Sequence, residues 1–339
     1  MKKKITLLIF CLLFFPFSIW AQNNTSFFNS VSFGLGGYLD IRIGHQGEYV
    51  YDPQSNDRLL SYLEWEEKPL IIVGLTGEAG YKNFQVLLQG NLAIPTESGT
   101  VFDFDYLNAS TFPDCPDSIA KIPTNYTESL CRTNSLYSIN VLLSYRFNLN
   151  RVLSLAPVLG YEYQHSDQSA WGLDGFYYKT YYTESNGYFG RYDTEGHNRK
   201  IFYSQDEETL RLTRNYHSIW LGLNASFNLN KSLTLDANVF ISPFTAIQSL
   251  DYHILLSVAF YDVMQSFFKG GKVSVALNYK IDFHNCIYAQ VEWQSTGIAD
   301  GITYTGPIGS DNYYAIWNSH AGADLQTWNF KLGYKYIFN

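Results

Sequence analysis

Two tripeptides in this chain pair a carboxylate with a second group that can hold or move a proton. Asp103-Phe104-Asp105 sets two carboxylates two residues apart, and Asp251-Tyr252-His253 sets a carboxylate two residues before a histidine. On extended backbone, residues i and i+2 share a face, so each pair projects side by side from its strand. Histidine titrates near neutral pH and a neighbouring carboxylate raises its basicity, which suits a general base that activates water. Two facing carboxylates can share a proton or hold a water between them. Three bland readings stand beside this one: Asp103 and Asp105 as solvated loop acids, the three aspartates and one histidine as a divalent-cation site, and His253 as a rim residue. The other histidines are read as structural or solvated.

The elements that must position these residues are strands. Strict alternation of apolar and polar residues recurs along the whole sequence. In VSFGLGGYLDIRIG, Leu35, Leu39, Ile41 and Ile43 fall on one face and Asp40 and Arg42 on the other. Residues 135–148, 218–227 and 273–282 repeat the pattern. At the end of the chain Trp328, Phe330, Leu332, Tyr334, Tyr336 and Phe338 oppose Thr327, Asn329 and Lys331. Charges on the less apolar face and aromatics on the other describe an inside-out protein, with a polar lumen and a lipid-facing exterior. A large soluble β-sandwich would also alternate, but the basic and apolar start of the chain argues for export. Lys2, Lys3 and Lys4 precede the run ITLLIFCLLFF, and Ala21 ends a cleavage site, so residues 1–21 read as a signal peptide and 22–339 as a single β-barrel domain.

Short turns are expected at Tyr81–Asn83, Asn148–Arg151, Asn228–Lys231 and Asp282–Asn285, two of them in the near copies FNLNRVLSL and FNLNKSLTL. Long polar loops are expected near 97–134, 172–208, 256–268 and 306–319, with a tight tip near 52–56. This spacing predicts an all-β fold: a ten-stranded antiparallel transmembrane β-barrel with both termini in the periplasm. Strands such as 57–80 are too long for the membrane alone, so they extend above the outer membrane, where a site can be built. The narrow lumen is expected to be filled by Glu78, Gln89, Asn91, Arg146, Glu162, Glu292 and Lys331, with Glu162 and Arg146 in buried ion pairs. Asp103 and Asp105 keep the odd, inward parity of strand 84–94. Asp251 and His253 do not keep the even, inward parity of Thr234, Asp236 and Asn238, so a bulge is expected at Pro243 to re-aim them.

Aromatic residues make up 17% of the chain and charged residues only 16%, with 28 tyrosines, a balance that suits such a barrel. The net charge is −8, and the signal segment would remove three lysines and no acid, which excludes nucleic acid as a partner and leaves room for cationic substrates. Cys115 and Cys131 fall in one predicted loop outside the cytosol, where chemistry allows a disulfide between them but the sequence does not decide it. No Cys/His spacing matches a structural zinc site, and no metal or other cofactor is expected.

The order of these motifs resembles the omptins, outer-membrane endopeptidases built on a ten-stranded barrel. LLSYLEWEEKPLIIVGLTGEAG is similar to the family's long second strand, VFDFDYLN carries its D-x-D, GYEYQHS its fifth strand and SLDYH its D-x-H. The resemblance implies that His253 is the general base, that Asp251 orients it, and that Asp103 and Asp105 hold the attacking water. It implies a substrate groove with Glu48 as an acidic residue that favours basic side chains. Ser249 stands where the family has a second acid, and Asp114 or Asp117 would supply an acidic subsite on the other side of the cleaved bond. Omptins also grip lipopolysaccharide through a Tyr-x-Glu-x-Arg pattern. Here the matching residues are Tyr161, Tyr163 and His165, so that motif is largely absent and the same lipid dependence is not expected. The implied partners are peptides or proteins at the cell surface and outer-membrane lipid, with the active site on the extracellular side. The reading from another class is a non-catalytic barrel serving as an adhesin or structural surface protein.

Overall fold

A computed structural model describes residues 31–338, apart from 53–54, 108–120, 122, 179–180, 184–186, 190–197 and 311. Ten antiparallel strands close into a ring: β1 (Val31–Asp52), β2 (Ser55–Tyr81), β3 (Phe84–Ala93, continued by Thr96–Asp105), β4 (Asn125–Tyr145), β5 (Leu153–Tyr178), β6 (Asn198–Asn228), β7 (Leu233–His253), β8 (Val258–Ser266, continued by Gly270–Lys280), β9 (Asn285–Ser295, continued by Ala299–Pro307) and β10 (His320–Phe338). Each strand pairs with its sequence neighbours, and β10 returns to β1 from Phe33↔Phe338 to Tyr51↔His320. Closure leaves no sheet edge to be satisfied.

The alternation places lipid-type residues outside and charge inside. Leu39 and Leu75 are 59% and 74% exposed, while Asp40 and Lys331, a cross-strand pair, are buried. The apolar outer band covers only the half nearest the short turns. On β2 the outward residues pass from Leu75, Val73 and Ile71 to Glu66, Glu64 and Tyr62, and on β7 from Val239 and Ile241 to Gln248. β2 has 27 residues; at ~3.3 Å per residue and ~45° tilt such a strand rises roughly 60 Å, against an apolar band of about 25 Å. The far half of the barrel therefore stands clear of a bilayer.

The near-copied turns fold alike. Asn150 Oδ1 accepts hydrogen bonds from the amides of Val152 and Leu153 at 2.8 and 2.9 Å, and Asn230 Oδ1 accepts from those of Ser232 and Leu233 at the same two distances. At the other end the strands run further than the sequence pattern suggested. Thr96–Asp105, the first part of Asn125–Tyr145 (125–134) and Val258–Ser266 form ladders in segments expected to be loops. Above the bilayer both faces of a strand can be polar, so the period-two signal fades although the pairing continues.

The lumen is packed rather than open. Arg42 Nε lies 2.8 Å from Glu67 Oε2, Gln46 Nε2 donates to Glu67 Oε1 at 2.7 Å, and Tyr216 Oη donates to Gln46 Oε1 at 3.0 Å. Lower down, Lys272 Nζ lies 3.0 Å from Glu162 Oε2, which also accepts from Trp220 Nε1 at 2.8 Å. Glu162 thus pairs with Lys272. Arg146, expected in a buried ion pair, is exposed at the rim of a polar cavity at the short-turn end, also lined by Glu78, Gln89 and Asn224. It is too near the strand end to reach the packed layer.

Cys131 is likewise placed differently from expectation. It lies on β4, fully buried against Leu63, Trp65, Val101, Ala170 and Leu212, as a free thiol receiving a hydrogen bond from Ser98. Burial pushes the thiol up to about 12. Cys115, the other cysteine of the predicted loop, lies outside the described residues, as do residues 1–21.

Candidate active site

β7 changes face at one point. From Thr234 to Ser242 its even residues point inward; from Thr245 to Asp251 the buried residues are Thr245, Ile247, Ser249 and Asp251, all odd. The switch is a bulge at Ser242-Pro243. Ile241 pairs with Leu221 and Phe244 with Ile219, so two residues of β7 stand opposite Trp220 alone. Proline has no amide to lose from the ladder, which makes this the place where an extra residue is tolerated. β7 also exchanges partners here, leaving Gly270–Lys280 for Val258–Ser266.

β3 reaches the same interior by a different route. After Pro95 the buried residue is the even Ser98, and a register shift at Glu97/Gly99 restores the odd face, so Val101, Asp103 and Asp105 follow. Gly99 has φ +123°, open to glycine but strained for other residues. The expected inward direction of the two acids is right, although parity is lost and regained between Pro95 and Val101.

At the top of β7, Asp251 is 1% exposed and its Oδ2 lies 2.6 Å from His253 Nε2. The chain then turns through a 3-10 segment, Ile254–Leu256, and Phe260 on the returning strand packs edge-on against the imidazole at 5.1 Å. Opposite, Asp105 accepts a hydrogen bond from Asn125 Nδ2 at 2.8 Å, and Ser61 bonds both Asp103 and Asp105. The two pairs feel one another across the cleft. Burial raises Asp103 to about 8, helped by Asp105 and Asp251 and opposed by His253 and Ser61. Burial also raises Asp105, against its hydrogen bonds and His253. For His253 burial disfavours the charged ring, but Asp251, with Glu48 and Asp103, overcomes it and lifts the imidazole to about 9. Asp103 Oδ1 and Asp251 Oδ1 are shielded from solvent and meet no protein donor. Buried acceptors of this kind are the chemistry of a water site.

The expected substrate residues sit beside this pair, and they are already engaged. Arg214, fully buried on β6, reaches Glu48 Oε2 through Nη2 at 3.2 Å, donates to Gly47 O through Nη1 at 2.8 Å and to Ser249 Oγ through Nε at 3.1 Å. Asp262 of β8, directly across from Ser249, joins the cluster; burial raises it to about 6 against a hydrogen bond from Thr303. Arg214 and Asp262 were missed in the sequence. Asp262 fell in a segment read as loop, and the inward parity of Leu212, Arg214 and Tyr216 carries no sign of what lies across the barrel. Asp114 and Asp117 lie outside the described residues. Among the described residues no three His, Cys, Asp or Glu side chains are grouped to hold a metal ion.

A second Asp-x-His, Asp282-Phe283-His284, folds as the turn between β8 and β9 at the opposite end, where Asp282 Oδ1 accepts from the amides of His284 and Asn285. The same spacing thus makes a turn in one place and an acid–imidazole pair in another. On the outer wall Tyr161, Tyr163 and His165 bond to β6 neighbours. Tyr161 Oη bonds His217 Nδ1 at 2.8 Å, and Tyr163 Oη and His165 Nδ1 both donate to Asn215 Oδ1.

Comparison with known proteins agrees with this barrel. The model of the Omptin family matches residues 28–338. The chain belongs to the omptin family. That family is one of outer-membrane proteases, so the barrel's place is the outer membrane and its class of substrate is protein or peptide. The solved outer membrane protease OmpT from Escherichia coli shares the fold of this family member with a TM-score of 0.75 at 15% identity, over 91% of this chain and 97% of that one. The Pseudomonas putida toluene transporter TodX (8% identity, 92% and 91% coverage) and the translocator domain of NalP from Neisseria meningitidis (9%, 89% and 88%) align with TM-scores of only 0.29 and 0.34 and carry no argument. No curated protein matches the sequence significantly.

Proposed function

We propose that this omptin-family barrel is an outer-membrane endopeptidase whose long-loop end faces the exterior, and that it hydrolyses exposed peptides with a water activated by Asp251 and His253. The observation that carries the reading is the convergence of D-x-H and D-x-D in one buried cluster, achieved through a bulge on each of two strands. Water held between the pairs gives a proton to His253 as its oxygen attacks the amide carbonyl. The imidazolium, stabilised by Asp251, then returns the proton to the departing amine, leaving an acid and an amine. Asp103, which keeps its proton to about 8, can donate to the developing oxyanion or orient the water, and Asp105, itself fixed by Asn125 and Ser61, helps hold that water. The reaction balances with water alone, so no cofactor is invoked.

The expected attraction to basic peptides rests on the acidic mouth as a whole, since Glu48 and Ser249 are engaged by Arg214. Asp114 and Asp117 remain the acids proposed for the far side of the cleaved bond. With Tyr163 and His165 where the family pattern has Glu and Arg, and both bonded to Asn215, activity is proposed not to depend on a lipopolysaccharide clamp. Purified barrel reconstituted in defined lipid and offered a peptide library tests the reading. Cleavage that is lost in Asp251→Ala and His253→Ala supports it; no cleavage by wild type in any lipid supports the adhesin or structural alternative.

A further inference from the structure

The acid cluster beside His253 contains its own cation. Glu48 is shielded from water and lies under the influence of Asp251, Arg214, Asp262 and His253. Arg214 enters this cluster from β6 and touches β1 at Gly47 and Glu48 and β7 at Ser249. Ser249 is two residues before Asp251 on the same inward face, so the guanidinium lies immediately below the acid–imidazole pair. Because Ser249 shares the inward face with Asp251 two residues on, this cluster borders the place where a peptide carbonyl would meet the water at His253. A lysine or arginine side chain arriving there would find Glu48 already paired, Ser249 already bonded, and a like charge at close range.

We infer that Arg214 is a specificity-determining residue that fills the acidic subsite beside Asp251 and His253 as a built-in guanidinium, so the peptide residue packing there is uncharged. The inference rests on the endopeptidase reading above. Basic residues elsewhere in the peptide are still drawn by the acidic mouth, but the subsite next to the cleaved bond excludes them. Removing the arginine side chain leaves Glu48 and Asp262 facing a guanidinium-sized space, which a substrate arginine can fill.

The experiment compares wild type, Arg214→Ala and the double variant Arg214→Ala/Glu48→Ala on peptide libraries varied at the residues flanking the cleaved bond, with cleavage sites read by mass spectrometry. Wild type should cleave beside uncharged residues and show kcat/KM at least about tenfold lower with arginine at that position. Arg214→Ala should shift selectivity toward arginine by about a hundredfold, and the double variant should lose the gain. A wild-type preference for arginine or lysine there overturns the inference, and that profile decides even where Arg214→Ala does not assemble. An active Arg214→Ala with an unchanged profile also overturns it. A second readout needs no activity: millimolar guanidinium should raise the unfolding temperature of Arg214→Ala but not of wild type, with equal sodium chloride as control. No rise in an assembled Arg214→Ala barrel counts against the subsite. No cleavage of any peptide by wild type sinks the endopeptidase reading instead.

Discussion

Asp251→Asn isolates what one carboxylate does for the imidazole. His253 is lifted from 6.5 to about 9, although burial by itself pushes it the other way. At 1.36 kcal/mol per pKa unit, the lift corresponds to about 3 kcal/mol in favour of the imidazolium. The shift is upward, so the associated stabilisation of the folded barrel is complete below pH 6.5 and is lost as pH rises through about 9. Catalysis runs the opposite way, since a base must be unprotonated. At pH 7 only about 1% of His253 is free base, so kcat/KM should climb nearly tenfold per pH unit up to about 8 and then level as Asp103 gives up its proton. In Asp251→Asn burial is left without its strongest counterweight, so the imidazole should titrate below 6.5 and the climb between pH 7 and 8 should vanish. The absolute rate should still fall by ~10²–10⁴, because the ring loses the acceptor that orients it and stabilises its charge. Initial-rate profiles from pH 6 to 9.5 on one peptide, with a histidine titration by NMR, measure both effects. A flat wild-type profile, or a climb unchanged in the variant, would refute the reasoning.

The two acids of β3 should not be equivalent. Asp103→Asn should cost ~10²-fold or more in kcat, whereas Asp105→Asn, whose partner Asn125 can rebond to an amide, should cost less, as steady-state kinetics on the two variants will measure. Deleting Pro243 removes the extra residue, so the β6–β7 pairing becomes one-to-one while Thr245, Ile247, Ser249 and Asp251 keep their inward face and their β6 partners; the barrel should assemble and keep cleaving peptide, as native-gel mobility, protease resistance and a peptide assay would check. Glu162→Ala leaves Lys272 charged in the packed lumen and should cost about 3–5 kcal/mol, seen as a lower temperature of gel-shift unfolding, while Glu162→Ala/Lys272→Met should recover much of it.

Much of the barrel was legible in the order of residues because a bilayer-spanning strand must present lipid on one face and the lumen on the other. Leu35, Leu39 and Ile41 against Asp40 and Arg42 is such a record, and the C-terminal ladder from Trp328 to Phe338 is another. The two short motifs were visible for a similar reason: i and i+2 share a face on any strand. Above the membrane the record weakens. Asn125–Thr133 and Val258–Ser266 pair as strands without a lipid face, so their residue order carries the polar signature of a loop.

What the sequence determined by itself was local: alternation, turn chemistry in the Asn150 and Asn230 copies, and a proline that forced a choice of face at Pro243. Tertiary structure decided everything that depends on closure of the ring. Only the closed barrel brings Arg214 of β6 to Glu48 of β1, separated by 166 positions, and sets Asp103 within the field of His253. Asp282-Phe283-His284 and Asp251-Tyr252-His253 share one spacing, yet one caps a turn and the other forms an acid–imidazole pair. Spacing encodes which side chains share a face, but burial and the charges across the lumen set their protonation, and these exist only after the strands have met.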